Sequence, residues 1–289
     1  MEDGDMRKRF GRRWIAMTLC LILAVVLGGC GEAQQENNRL NEILERGYIT
    51  VTTEPYFAPN EFIDPSKEGD EQYVGADIEL AKYIANELGV ECRIVPLDFT
   101  TVLSSITEGK YDIAISALAY KPDRAENMNL SNSYYTSENS EGYGIAVRSD
   151  MVDQIQSVED LADLVIVVQQ GSLQQYFLEE QVPAYKEIKY VSSTNDAFLM
   201  VQEGKADAVA TATSFARLYI DANEDCGISM VESFRFEADE RYNGMVVAMK
   251  KGEDALLERI NEIVDEVVES GIYQQWYDEY TEYAATLGL

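Results

Sequence analysis

The chain has 289 residues, enough for two domains of ordinary size, each with its own core. Its formal net charge of −29 argues against nucleic acid and anionic lipid as partners, because phosphate groups are bound by clustered cations. The sequence contains no histidine, which excludes Ser-His-Asp and Cys-His catalysis and removes zinc's usual nitrogen ligand. We therefore expect no cofactor and no bound metal.

The first thirty residues have the layout of a secretory signal. Five arginines and lysines in residues 7–13 precede an apolar run over residues 14–27, which is too short to span a membrane comfortably. The sequence Leu-Gly-Gly-Cys that ends at Cys30 resembles a lipobox, which implies cleavage before Cys30 and lipidation of its thiol. An uncleaved anchor helix is the alternative. Either way, we expect an extracytoplasmic protein tethered to the membrane by residues 30–37.

The elements that follow alternate between strands and helices. Glycines at positions 47, 89 and 109 mark the ends of helices, and β-branched or apolar runs mark strands. This order predicts a parallel sheet with helices on its faces. The pattern predicts a strand at 48–53, a loop at 54–59, a helix at 75–88, a strand at 91–99 and a helix from 102.

The stretch from Asp112 to Arg124 reads D-I-A-I-S-A-L-A-Y-K-P-D-R. Its apolar start predicts a buried strand, and the small residues after it allow another group to approach the backbone closely. We expect Pro122 to end regular structure before Arg124. The planar fork of this arginine can bind a carboxylate, although a plain surface arginine after a loop is the alternative.

A second series of strands and helices follows. Glu203-Gly204-Lys205-Ala206-Asp207-Ala208 mirrors Glu108-Gly109-Lys110-Tyr111-Asp112-Ile113, which indicates a duplicated helix-Gly-strand unit. The pattern predicts strands at 143–147, 165–168, 188–191 and 208–210, and helices at 158–161, 173–180, 196–202 and 254–280.

Four segments together resemble the family 3 extracellular solute-binding proteins, the polar amino acid receptors of ABC importers. The resemblance spans roughly residues 38–280. The segments are T-E-P-Y-F-A-P-N-E-F at 53–62, G-A-D-I-E-L at 75–80, the stretch from Asp112 to Arg124, and Gln170-Gly171-Ser172.

The resemblance implies an α/β fold of the type II periplasmic binding protein kind, with two lobes that are each a mostly parallel sheet flanked by helices. Lobe 1 would be discontinuous, with residues 38–136 and 238–289, and lobe 2 would hold residues 137–237. The expected function is capture of a small carboxylate-bearing solute, such as a polar amino acid, by hinge closure. A monomer that delivers this ligand to an ABC permease is expected. A sensory receptor and a dehydratase-like enzyme on the same scaffold are the alternatives.

The resemblance also assigns roles to individual residues. Arg124 would pair with the ligand carboxylate, and the turn at Gly171, Ser172 and Leu173 would meet it from the other lobe. The alternative for Ser172 is a plain N-cap, a role that is compatible with binding. By the same pattern, Phe57 would pack on the apolar part of the ligand, and Leu118 would offer its backbone carbonyl to an ammonium group.

Two positions depart from the family pattern. Ala119 stands where a hydroxyl is usual, and Ala212 stands where an aspartate usually pairs with the α-ammonium. Because an unpaired buried charge costs several kcal/mol, something must replace these groups, or the ligand differs. Glu54 is the available anion, and Thr211 and Thr213 are weaker candidates.

The remaining predictions concern two cysteines, one tryptophan and three tyrosines. Cys92 and Cys226 would lie in different lobes, so we expect them to be unpaired. Trp276 is expected to pack in the protein. Tyr120, Tyr134 and Tyr135 either line the site or lie on the surface.

Overall fold

The computed structural model describes residues 38–136, 142–223, 225–239, 242 and 244–289. The predicted signal, Cys30 and the tether lie outside these residues. Within the described part of the chain, no helix is both long and apolar enough to cross a membrane.

The described residues form two large sheets and one small sheet. In chain order the strands are β1 (Tyr48–Thr53), β2 (Tyr56–Phe57), β3 (Glu61–Ile63), β4 (Tyr73–Val74), β5 (Glu91–Pro96), β6 (Ile113–Ala114), β7 (Met128–Thr136), β8 (Tyr143–Arg148), β9 (Val165–Gln169), β10 (Glu187–Val191), β11 (Ala208–Ala212), β12 (Ile228–Met230) and β13 (Gly244–Lys250). The first sheet has the order β5-β1-β6-β13-β7, the second β10-β9-β11-β8-β12, and the small one β2-β3-β4.

Each large sheet is mixed. In the first, β1 pairs in parallel with β5 and β6, whereas β13 runs antiparallel to β6 and β7. In the second, β9 pairs in parallel with β10 and β11, whereas β8 runs antiparallel to β11 and β12. The predicted α/β class with two sheets is confirmed. In the first sheet the share of antiparallel pairing is larger than expected because the sequence pattern revealed neither β7 nor β13.

The chain leaves the first sheet after β7 and returns to it only at β13. Between these strands it builds the whole of the second sheet. The first sheet is therefore made of two segments that are far apart in sequence.

Helices cover both faces of each large sheet. They are α1 (Arg39–Arg46), α2 (Ala76–Leu88), α3 (Phe99–Glu108), α4 (Pro122–Asn127), α5 (Leu173–Gln181), α6 (Thr194–Gln202), α7 (Thr213–Ala222), α8 (Asp254–Ser270) and α9 (Ile272–Leu287). Alternate strand residues point to opposite faces, so Val247 packs with α2 and α8 while its neighbours Val246 and Ala248 pack with α3. The second sheet is likewise covered by α5 on one face and by α6 and α7 on the other.

Pro122 begins a helix, contrary to the prediction that it ends regular structure. It occupies the first turn of α4, where its missing N–H has no intrahelical partner to lose and its fixed φ suits the helix. Arg124 therefore projects from a short helix and not from a loop.

Cys92 and Cys226 are free thiols, and Cys92 lies on β5 of the first sheet whereas Cys226 lies just before β12 of the second. Burial raises the pKa of Cys92 to about 11. Trp276 packs beside Tyr83 and Tyr273.

The repeated Glu-Gly-Lys segments end in two aspartates with equivalent contacts. Asp112 accepts hydrogen bonds from the Thr50 N–H at 2.7 Å and the Thr50 hydroxyl at 2.6 Å, and it pairs with Arg46. Asp207 accepts from the Val165 N–H at 2.9 Å and pairs with Arg148 at 3.1 Å. Each aspartate thus joins the start of its own strand to the neighbouring parallel strand.

We predict that Asp112→Ala lowers the free energy of unfolding by about 3 kcal/mol, because it leaves the partly buried Thr50 N–H and a partly buried arginine without this acceptor. Urea unfolding followed by circular dichroism measures this change. The exposed Glu266→Ala is the control and should alter stability by less than about 0.5 kcal/mol. A loss for Asp112→Ala no larger than that of the control would contradict the prediction.

Candidate functional site

One cavity lies where strands of the two large sheets end. Glu54 follows β1, Ser116 follows β6, Gln169 ends β9 and Ala212 ends β11, and all four line this cavity. Ligands of open α/β sheets bind at such carboxyl ends of strands. We call this cavity the cleft.

Arg124 lies in the wall of the cleft and is buried. Its Nη1 donates to the Ala119 carbonyl at 2.7 Å, and its Nη2 donates to the Gly171 carbonyl at 2.8 Å. Its Nε has no hydrogen-bond partner. Burial lowers the pKa of Arg124 to about 10, so the side chain remains a cation at neutral pH.

The turn before α5 faces Arg124 from the second sheet. The Ser172 hydroxyl donates to the Gln169 carbonyl at 2.7 Å and accepts from the Gln175 N–H at 3.1 Å, so it acts as the N-cap of α5. Ser172 and Leu173 line the cleft, whereas Gly171 does not line it and is bonded to Arg124 through its carbonyl. The N–H groups of the first helical turn have no partner within the helix.

Glu54 and Phe57 also line the cleft. The Glu54 carboxyl is buried and hydrogen-bonded to Gln169, but its Oε1 atom has no partner. Burial raises the pKa of Glu54 well above its ordinary value, and the nearby charges of Asp196 and Asp98 raise it further. Phe57 stacks on Phe215 with ring centroids 4.6 Å apart.

The remaining predicted residues divide into two groups. Ala119 and Ala212 line the cleft, and neither side chain offers a hydrogen-bond acceptor there. Leu118, Thr211 and Thr213 are buried but do not line it. The Leu118 carbonyl, predicted to face an ammonium group, accepts the Val246 N–H at 2.8 Å.

Glu61 is the most informative residue that the sequence analysis missed. It lines the cleft, is 1% exposed, and accepts a hydrogen bond from the Ser116 hydroxyl at 3.1 Å through Oε1. Its Oε2 atom has no hydrogen-bond donor. Burial raises the pKa of Glu61 well above its ordinary value, and the charge of Asp77 and a hydrogen bond between the two carboxyls raise it further.

Asp77 fixes the loop that follows β6. It accepts the Ala117 N–H at 2.6 Å and the hydroxyls of Tyr134 and Tyr273 at 3.0 and 2.5 Å. Ala117 has a φ of 45°, which is unusual for a residue with a side chain and needs such support. Asp77 and Glu61 therefore hold adjacent residues of the loop that leads to Arg124.

Aromatic rings cover much of the remaining wall of the cleft. The ring centroid of Phe99 lies 5.6 Å from the guanidinium carbon of Arg124, and Tyr135 stacks on Tyr277 with ring centroids 4.9 Å apart. Tyr135 is a predicted candidate that the structure places in the cleft, whereas Tyr134 is buried behind it and Tyr120 does not line it. The other lining residues that the sequence analysis missed include Phe99, Tyr143, Gln174, Phe215, Tyr242 and Tyr277.

Among the described residues, no three cysteine, aspartate or glutamate side chains come close enough to hold a metal ion together.

The sequence matches the model of a known protein family over residues 49–283, which is most of the chain. The chain belongs to the bacterial extracellular solute-binding proteins, family 3. The predicted family is therefore confirmed, as is the expectation of a solute-binding protein and not an enzyme.

Individual relatives agree with this assignment. The ABC transporter arginine-binding protein 1 of Escherichia coli (strain K12) is 28% identical over 211 residues, which cover 72% of this chain and 82% of the relative. An amino acid ABC transporter substrate-binding protein from Streptococcus pneumoniae, solved with L-arginine, has a TM-score of 0.75 at 29% identity and covers 85% of this chain and 98% of its own. An ancestral arginine-binding protein bound to glutamine has a TM-score of 0.71 at 31% identity, covering 81% of this chain and 98% of its own.

We predict that Glu61 makes the protein less stable as pH rises. Its folded-state pKa lies above the ordinary value of 4.5, so its contribution to stability is fully present below pH 4.5 and is lost as pH rises through the folded-state value. Glu61→Gln cannot titrate, so the fall in unfolding free energy with rising pH should be shallower in this variant. Urea unfolding at a series of pH values measures the slope, with the exposed Glu266→Gln as control. Identical slopes for Glu61→Gln and the unaltered chain would refute the prediction.

Proposed function

We propose that the protein binds an amino acid with a cationic side chain, such as arginine, in the cleft and presents it to an ABC permease. One observation carries this proposal: the charges of the cleft complement those of a basic amino acid. Of the described residues, Arg124 is the only basic side chain that lines the cleft, and Glu54 and Glu61 are the only carboxyl groups. A basic amino acid carries one carboxylate and two cations.

The ligand carboxylate is assigned to Arg124. A guanidinium has five N–H donors, and two of these are used by the Ala119 and Gly171 carbonyls, so the Nε edge can still bind a carboxylate in a bidentate manner. Such a counter-ion offsets the cost of burying the guanidinium. The Leu173 N–H at the start of α5 is a further donor for this carboxylate.

The distal cation of the ligand is assigned to Glu54. This residue lines the cleft and also a second cavity, whose wall contains Asp98 and Asp196 and no lysine or arginine among the described residues. The three carboxyl groups make this side of the cleft favourable for a positive charge. The neutral side chain of a polar amino acid such as glutamine would leave the unpartnered Glu54 oxygen without a cation.

The two sheets would act as the cores of two lobes, with residues 38–136 and 238–289 in one and 137–237 in the other. Arg124 contributes one of the contacts between them, because its two carbonyl partners belong to different segments of the chain. We propose that the ligand stabilises the closed arrangement of the lobes and that the permease recognises this arrangement in a monomeric receptor.

We predict that Glu54→Gln weakens arginine binding by about tenfold or more, because a charge-assisted hydrogen bond is lost. Binding of citrulline, the neutral isostere of arginine, should change by less than about twofold. Isothermal titration calorimetry measures both affinities. Because a bound cation favours the ionised form of Glu54, arginine affinity should also rise with pH, and Glu54→Gln should lose this part of the dependence.

The same calorimetric titrations test the pairing of the ligand carboxylate with Arg124 separately from that of the distal cation with Glu54. Arg124→Lys replaces the fork with a single point charge and should weaken arginine and citrulline alike. The exposed Glu266→Gln controls for net charge. Failure of the unaltered chain to bind any basic amino acid, or an equal loss of arginine and citrulline in Glu54→Gln, would refute the proposed assignment.

We also propose that Cys30 carries the lipid that anchors the protein, because the sequence before it resembles a lipobox. The intact mass of the protein purified from membranes should then correspond to a chain that begins at a lipid-modified Cys30. Cys30→Ala should abolish the added lipid mass. An unmodified Cys30 within an uncleaved chain would contradict this.

A further inference from the structure

A bound α-amino acid needs an acceptor for its α-ammonium group as well as for its side-chain cation. The family resemblance implies a polar partner for this ammonium at positions 119 and 212. In this chain both positions are alanines, which line the cleft with methyl groups only. An ammonium buried without an acceptor would cost several kcal/mol, as would any unpaired buried charge. Some other group in the cleft must therefore supply the negative partner.

We propose that Glu61 is the α-ammonium acceptor of this cleft. The proposal rests on the proposed function, since it assumes an amino acid whose carboxylate lies at Arg124. Glu61 lines the cleft, is almost completely buried, and has one oxygen, Oε2, without a hydrogen-bond donor. The Ser116 hydroxyl and the Asp77 carboxyl that bond to Glu61 are not cations, so a buried Glu61 carboxylate is costly unless a ligand supplies a positive partner.

The position of Glu61 suits the head group of an amino acid. Its carboxyl is bonded to the hydroxyl of Ser116, and Arg124 is bonded to the carbonyl of Ala119, only three residues further along the same loop. The Cα atoms of two residues three positions apart are separated by at most roughly 10 Å. The carboxylate and ammonium of an α-amino acid are attached to one carbon, so they require two oppositely charged partners, and the two ends of this short loop segment each bond to one.

The two carboxyl groups of the cleft have different surroundings, which separates their roles. Glu54 lines the cleft and the second cavity beyond it, so it meets a ligand arm that extends away from Arg124. Glu61 lines the cleft but not the second cavity, and it is enclosed by Ser116, Asp77 and the tyrosines that bond to Asp77. The compact head of the ligand therefore belongs with Glu61, and its long arm belongs with Glu54.

The Glu61 carboxyl can also release a proton when the ligand binds. The groups that face Glu61 are the carboxyls of Asp77 and Glu54 and the hydroxyls of Ser116, Tyr134 and Tyr273, and none of them is a cation. Burial and these neighbours favour the protonated form of Glu61 in the free protein. An ammonium ion placed at Oε2 favours the carboxylate, so binding releases this proton to solvent and forms an ammonium–carboxylate pair.

The decisive experiment compares arginine with its des-amino analogue, which differs only in lacking the α-ammonium group. In calorimetric titrations, Glu61→Gln should weaken arginine binding by about 10- to 100-fold, because a hydrogen bond between charged groups is lost. The same variant should bind the des-amino analogue within about twofold of the unaltered protein. That retained binding also shows that the variant is folded.

Glu54→Gln serves as the matched comparison, because it should weaken both arginine and the des-amino analogue. Titrations in buffers of different ionisation enthalpy count the protons released with arginine, and Glu61→Gln should release fewer. Equal losses for both ligands in Glu61→Gln would make Glu61 a support of the loop and overturn this inference, as would no loss for either. If Glu54→Gln behaves as expected while Glu61→Gln does not, the proposed function stands and only the role of Glu61 fails.

Discussion

The Arg124 guanidinium is the interaction on which the arrangement of the cleft depends. It is buried in a protein with a large excess of acidic residues, yet among the residues that the structure describes it forms no ion pair and instead bonds to the carbonyls of Ala119 and Gly171. Neutral carbonyls satisfy two of its hydrogen bonds but leave its charge uncompensated. The short helix that begins at Pro122 holds it in this position, so the fold keeps a buried cation available for an anion from outside the chain.

Buried carboxyl groups lie elsewhere in the wall of the same cleft and form no ion pair with this cation. Asp77 is satisfied by three donors and serves the backbone at Ala117, whereas Glu54 and Glu61 each retain an oxygen with no donor. Desolvation raises the pKa of both glutamates, which means that folding works against their ionised forms. The protein tolerates this cost where Glu54 follows β1 and Glu61 begins β3, so the backbone of the first sheet and of the small sheet provides a rigid frame for the two side chains.

The sequence was sufficient for the class of fold and for most of its helices and central strands, because periodicity and glycine stops are local signals. The Asp112 and Asp207 repeat was visible for the same reason, and the structure gives both residues the same bond to a neighbouring strand. What local signals could not reveal was β13, whose pairing with β6 and β7 joins residues more than one hundred positions apart. Nor could they show that a proline before Arg124 starts a helix, since proline both ends and begins helices.

Glu61 illustrates why part of the site could not be predicted from the sequence. A glutamate between Asn60 and Phe62 looks like any solvated residue of a polar loop, and its burial arises from contacts with Ser116, 55 residues away, and from the Asp77 cluster that includes Tyr273 in the last helix. Such long-range contacts leave no pattern in the sequence around it. The two alanines at positions 119 and 212 were visible, and they showed that an acceptor was missing without showing where it would be. A carboxyl group supplied from another element relocates the negative charge within the same cleft, so a change of binding residues need not be a change of ligand class.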